Sequence, residues 1–144
     1  HFSEGKVWRN ARLHELLESV RLPEALLDRY SSEISGGQCQ RVALDRALAA
    51  KPDILVLYQF VSALDVTVQA RILDLLSELQ KELGLTFVFV SHDLAVVRLI
   101  ADTLSVIRHG KQQEYGDVEQ IIREPASPYT KMLLQAIPGK RIWK

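Results

Sequence analysis

Ser35-Gly36-Gly37-Gln38 stands at the head of a long helical stretch, read from the sequence as Cys39 to Ala50. A serine and two glycines at a helix start make an anion cradle. Backbone N–H groups without helical partners and the positive end of the helix dipole face outward, and the missing side chains allow close approach. Ser35 in that position also suits a plain helix cap. A second chemical candidate is His92, in Ser91-His92-Asp93, directly after the apolar run Leu85 to Val90. A histidine just past the C-terminal end of a buried strand lies where α/β folds bind ligands. The consecutive Ser-His-Asp run is no hydrolase triad, because neighbouring side chains do not converge on one point. Asp65 ends the run Ser62-Ala63-Leu64-Asp65 and precedes a second long helix, where its carboxylate suits an N-cap. His1, His14 and His109 have no such context and read as surface residues.

An absence is equally informative. No stretch fits G-x-x-x-x-G-K-[ST], the loop that wraps the phosphates of a nucleoside triphosphate. The chemistry available is therefore that of a surface that touches a phosphate without wrapping it.

Strand–helix alternation positions these residues and predicts an α/β fold. Residues 7–30 carry Leu13, Leu16, Leu17 and Val20, then Leu22, Leu26 and Leu27, at helical spacing. With Pro23 suited to a first helical turn, the segment predicts a helical hairpin. Lys51-Pro52 ends the helix after Gln38, since proline disfavours helix in the residue before it. Ile54 to Leu57 and Leu85 to Val90 read as strands buried on both faces of a parallel sheet. Asp65 to Leu83 is amphipathic, with Val68, Ile72, Leu75, Leu76 and Leu79 on one stripe, and Gly84 ends it. Leu94 to Ala101 predicts a short helix. Thr103 to Arg108 and Lys111 to Tyr115 flank His109-Gly110 as a hairpin. Val118 to Arg123 and Tyr129 to Ala136 predict two further helices around a turn at Pro125 to Pro128.

The 144 residues hold one domain or a large part of one, with the 47% apolar and 25% charged content of a globular protein. Eighteen basic and 18 acidic residues cancel, which leaves no electrostatic footprint for nucleic acid and no polybasic membrane patch. No apolar run approaches the roughly 20 residues that span a bilayer, so any membrane association is expected to run through a protein partner. The single cysteine, Cys39, excludes an internal disulfide and metal-ligand spacing. The chain starts at His1 without methionine or a signal pattern, as a fragment would.

The order Ser35-Gly36-Gly37-Gln38, Gln40-Arg41-Val42, Arg46-Ala47-Leu48, Ile54 to Leu57, Ser62-Ala63-Leu64-Asp65 and Ser91-His92-Asp93 resembles the second half of the nucleotide-binding subunit of ATP-binding-cassette (ABC) transporters. Asp65-Val66-Thr67-Val68-Gln69-Ala70, with the tail Ser127-Pro128-Tyr129-Thr130-Lys131 and Ala136-Ile137-Pro138, looks like the bacterial peptide and nickel importer branch. The resemblance implies a partial P-loop NTPase core with parallel strands and flanking helices. Residues 1–33 would be the end of a helical subdomain, 34–116 the core portion and 117–144 a C-terminal helical tail. It implies ATP and Mg²⁺ as cofactors. A second nucleotide-binding subunit, arranged head to tail, and membrane permease subunits would be the partners. The cytoplasmic side of the inner membrane would be the location. Ser35, Gly36, Gly37 and Gln38 would then cap the γ-phosphate of an ATP held by the partner. Asp65 would lie in the loop that crosses the dimer interface, and His92 would be the switch histidine that positions the attacking water.

Some residues depart from the family pattern. Tyr58-Gln59-Phe60 stands where relatives carry Asp-Glu-Pro. The aspartate would hold Mg²⁺ and the glutamate would orient or deprotonate water. Tyrosine supplies no anionic ligand near neutral pH, and glutamine keeps the shape of glutamate without its basicity. Hydrolysis driven by this chain's own carboxylates is expected to be lost or badly impaired. Asp45 replaces a small apolar residue, and the sequence leaves open a surface pair with Arg41 or a buried charge. Two alternatives stand beside the importer ATPase. One is a degenerate subunit that completes a partner's ATP site. The other is a DNA-repair ATPase of the same signature, which would normally bring long coiled coils or zinc-binding cysteines.

Overall fold

Asp65 starts the best-patterned helix of the chain, α3 (Val66–Leu83), by accepting the Val68 N–H at 3.0 Å. Gly84 ends it in the left-handed region at φ 65. Between these stops Ile72, Leu75, Leu76 and Leu79 are buried along one stripe, as the spacing predicts. Each such burial contributes about 1.5–3 kcal/mol, which is why tertiary packing rather than local propensity holds the helix.

The structure is a computed structural model. It describes residues 2–137, and side chains from residue 11 onward. Two compact units divide the chain, 1–90 and 91–144. In the first, α1 (Phe2–Ser19) and α3 both contact α2 (Gly36–Leu48). Two strands, β1 (Ile54–Tyr58) and β2 (Thr86–Val90), pair in parallel with Ile54 opposite Thr86 and Tyr58 opposite Val90. α2 begins three residues earlier than the sequence suggests, because Gly36, Gly37 and Gln38 form its first turn.

Two expectations fail here. The helical hairpin of residues 7–30 is one helix followed by a single 3₁₀ turn, Glu24–Leu26, with Pro23 as its cap. A helix so short cannot offset its nucleation cost, and Leu27 stays exposed. The parallel sheet is buried on one face only. Leu55 and Leu57 point inward, whereas Ile54, Val56, Tyr58, Val88 and Val90 form an open apolar face, Val56 at 64% exposure. The apolar run was correctly legible as a strand. Covering its second face takes elements that this unit does not contain.

The second unit holds α4 (Leu94–Ile100), β3 (Thr103–Arg108), β4 (Lys111–Asp117), α5 (Val118–Arg123) and α6 (Pro128–Ala136). β3 and β4 pair antiparallel through a tight turn in which His109 (φ 49) and Gly110 (φ 71) both take positive φ. Both central residues of a type I′ hairpin turn require that conformation, and glycine adopts it freely. Val97, Leu104, Val106, Val118 and Ile121 form its core. Arg98 grips Glu119 through two hydrogen bonds of 2.6 and 2.9 Å, joining α4 to α5. Glu114 on β4 accepts the N–H groups of Ala126 and Ser127 ahead of α6, at 2.7 and 3.2 Å. Burial works against its charge, but the Thr130 hydroxyl, these two amides and Lys131 outweigh it and hold the carboxyl below the usual range. Pro138, in the tail sequence that resembles the importer branch, lies outside the described residues.

Candidate functional site: the signature turn and the end of the first strand

Ser35 and Gln38 close a reciprocal cap on α2. The Gln38 N–H donates to Ser35 Oγ at 3.3 Å, and the Ser35 N–H donates to Gln38 Oε1 at 2.8 Å. The cap fixes the turn and leaves its ligand chemistry intact. Ser35 Oγ is used as an acceptor there, so its own proton remains a donor. The N–H groups of Gly36 and Gly37 sit in a first helical turn, where the helix offers no carbonyl to receive them. Ser35 is exposed, so the turn is presented to solvent.

The two glycines also serve a purpose that the sequence does not reveal. A Cβ on Gly37 would lie 2.6 Å from Val68 Cγ1, and one on Gly36 would lie 3.4 Å from Leu64 Cδ2. Part of the space vacated by the missing side chains is thus filled by the segment around Asp65. The fold therefore brings Gly36 and Gly37 against Leu64 and Val68, residues that flank Asp65 in the sequence. A pocket of about 210 Å³ opens beside them, with Arg21, Arg41 and Arg71 among its lining residues. Arg41 Nη1 donates to the Arg21 carbonyl at 3.3 Å, and Arg21 also pairs with Glu78. Arg41 was legible in principle, since it lies four residues after Gly37 on the same helix face. Val68 and Arg71 carried no such signal, because their proximity depends on how α2 and α3 cross.

Tyr58 and Gln59 occupy the C-terminal end of β1. Tyr58 is 72% exposed on the open face of the sheet. Gln59 takes φ 47, a left-handed conformation that strains a residue with a side chain by roughly 1–2 kcal/mol. Its N–H donates to the Val90 carbonyl at 2.7 Å, and its own carbonyl accepts the Ser62 N–H and hydroxyl at 3.2 and 2.9 Å. The backbone of this turn is well held, but it carries no carboxylate. No cluster of three or more His, Cys, Asp or Glu side chains suited to a metal occurs among the described residues. The residues present here do not fit Mg²⁺.

His92 belongs to the second unit and is exposed between Ser91 and Asp93. Both neighbours brace the turn. Ser91 Oγ accepts the Asp93 N–H at 3.0 Å, and Asp93 caps α4 through the N–H groups of Ala95 and Val96 at 2.9 and 3.4 Å. Asp45 is buried on α2 at 8% exposure, and its Oδ1 has no hydrogen-bond partner. Burial pushes its carboxyl up, with the charge of Arg12 opposing, so the buried alternative holds and the surface pair with Arg41 does not.

Residues 2–57 match the ABC transporter family profile, and residues 113–144 match the oligopeptide/dipeptide transporter C-terminal region. The oligopeptide transport ATP-binding protein OppF of Bacillus subtilis is 46% identical over 94% of this chain and 45% of its own length. A putative peptide import ATP-binding protein of Brucella ovis is 47% identical over 93% of this chain and 42% of its own. The chain thus spans less than half the length of these relatives. Among solved structures, CbiO1 of Clostridium perfringens, part of the ABC transporter complex CbiONQ, superposes with a TM-score of 0.73 at 29% identity, over 93% of this chain and 51% of that one. The dimeric bacterial ABC transporter cassette MJ0796 gives 0.65 at 34% identity, over 76% and 47%.

Proposed function

Because the chain belongs to the ABC transporter family, as the C-terminal part of one of its ATP-binding proteins, we propose that it caps a nucleotide held by another subunit in a peptide importer. The observation that carries this is the contrast between a complete signature turn and a strand end without carboxylates. Ser35 and Gln38 hold the turn in one conformation, so its donors need no reorganisation when a phosphate arrives. Gly36 and Gly37 then offer two N–H groups, Ser35 its hydroxyl proton, and the helix dipole a partial positive charge. Bound ATP would supply the scissile phosphoanhydride. This chain's residues would orient the γ-phosphate and exclude water from one side of it.

Tyr58 and Gln59 leave the complementary task to the partner, whose own carboxylates would position metal and water. The relatives named for oligopeptide transport and peptide import support peptides as the transported class. No described helix is long and apolar enough to cross a membrane.

The test is a mixed dimer in which only the partner carries a phosphate loop and an Asp-Glu pair. Ser35→Glu adds bulk and repulsion at the phosphate, and hydrolysis at the partner's site is expected to fall by about 10²–10³-fold, the scale of losing a preorganised donor. Unchanged hydrolysis would reduce the turn to a structural helix cap.

A further inference from the structure

We infer that Val68 is a positioning residue for the signature turn, seated in the gap that glycine leaves at position 37, so that the turn and the Asp65 loop move as one piece. The inference rests on the capping role proposed above and adds the residue that sets the turn's placement.

Val68 leaves no room for a side chain at position 37. The 2.6 Å between a Cβ built on Gly37 and Val68 Cγ1 is shorter than side chains tolerate, so the glycine is what allows α2 and α3 to approach this closely. Val68 is β-branched and on a helix, which confines it largely to one χ1 rotamer. It cannot swing aside as the end of a long side chain would. The same residue is tied to the loop before it, since its N–H donates to Asp65 Oδ1 at 3.0 Å. Asp65, Val68 and Gly37 therefore form a continuous mechanical link. One end is the loop expected at a dimer interface, and the other is the pair of N–H groups expected on the phosphate. Leu64, at 3.4 Å from a Cβ on Gly36, packs on the same turn one residue earlier. A displacement of the Asp65 loop by a partner subunit would be carried through Val68 into the direction in which the Gly37 N–H points.

The test is a double-mutant cycle with Gly37→Ala, Val68→Ala and the pair, read in two ways. First, urea unfolding of the chain alone needs no nucleotide. Alanine exceeds glycine in helix propensity, so a purely local effect would make Gly37→Ala stabilising. The seat predicts the opposite, a loss in the folding equilibrium constant of roughly ten- to hundredfold from overpacking, relieved in large part by Val68→Ala. If Gly37→Ala alone does not fold, recovery of a cooperative transition in the pair is the same result. A stable Gly37→Ala, or no relief in the pair, overturns the seat.

Second, hydrolysis at the partner's site is followed in the mixed dimer. Loss of positioning raises the apparent KM for ATP about tenfold in Gly37→Ala, and the pair recovers most of it. A variant that was merely less stable would lower the amount of active dimer and leave KM alone. Relief of unfolding without relief of KM overturns the positioning role while leaving the contact real. Ser35→Glu in the same dimer separates the two proposals. If it has no effect on hydrolysis, the capping role fails, whereas the unfolding cycle still reports on the seat by itself.

Discussion

The N-terminal turn of α2 and the C-terminal end of β1 are both places where an α/β fold delivers chemistry, yet they have been treated in opposite ways. At the α2 turn the side chains brace the backbone N–H groups that are proposed above as donors. Ser35 and Gln38 satisfy each other, and the two glycines admit the Asp65 segment. At the β1 end the backbone is just as well held, through Val90 and Ser62, but Tyr58 and Gln59 bring neither charge nor a basic oxygen. Backbone support and side-chain chemistry are thus separable. A strand-end turn can be held firmly by its backbone without carrying a carboxylate, whereas a helix-start turn whose donors are mainly backbone depends on its glycines.

The sharpest way to break this contrast is to restore what the β1 end lacks. In a chimera that places a phosphate-loop segment of the G-x-x-x-x-G-K-[ST] type ahead of residue 1, Tyr58→Asp with Gln59→Glu is expected to raise ATP hydrolysis by about 10²–10⁴-fold, the usual worth of a positioned base. Steady-state phosphate release measures it. No gain would mean that the frame at 58–59 is not the one relatives use.

Stability separates the two turns next. Ser35→Ala removes the cap of α2 and is expected to lower unfolding free energy by about 1 kcal/mol in urea titration. Tyr58→Ser on the open face is expected to change it by less than about 0.5 kcal/mol, because little of that ring is buried. Equal losses at both positions would end the distinction between a braced turn and an idle one.

A pH-dependent effect concerns the helix that carries the signature turn. Asp45 is buried with its carboxyl pushed up by desolvation, so its ionised form opposes folding. A folded-state value above the unfolded one gives a contribution that is most favourable below the ordinary aspartate value of 3.8 and is lost as pH rises through the folded value. Asp45→Ala should therefore stabilise the chain at neutral pH, beyond the roughly 0.5 kcal/mol that helix propensity alone supplies. The excess should vanish as pH falls below that value. A gain independent of pH would show that Arg12 already neutralises the charge.

Much of this architecture was readable in advance where a local rule decided it. Asp65 and Gly84 marked the ends of α3, the Ile72 to Leu79 stripe gave its buried face, and His109-Gly110 gave the hairpin. Ser35 was legible as a cap because its partner lies only three residues away. What escaped the sequence was set by elements distant along the chain. Residues 22–30 have helical spacing but too few residues and too little burial to pay for a helix. The apolar strands look alike whether one or both faces are covered. Asp45 could be called buried only once Leu44 and Leu48 were seen to turn that side of α2 inward. Val68 could not be linked to Gly37 at all without the crossing of two helices.

The bare side of the parallel sheet has a practical consequence for anyone handling the chain. Ile54, Val56, Tyr58, Val88 and Val90 form a single apolar strip, flanked by two strand edges that have no strand partner among the described residues. Such a strip promotes aggregation, and the edges offer ready hydrogen-bonding partners to another copy. Sulfate, concentration and warmth toward room temperature all strengthen that attraction, whereas cooling weakens it. This chain by itself is expected to stay dispersed longest when kept dilute, cold and free of salting-out anions, and a charged residue at position 56 is expected to slow its aggregation.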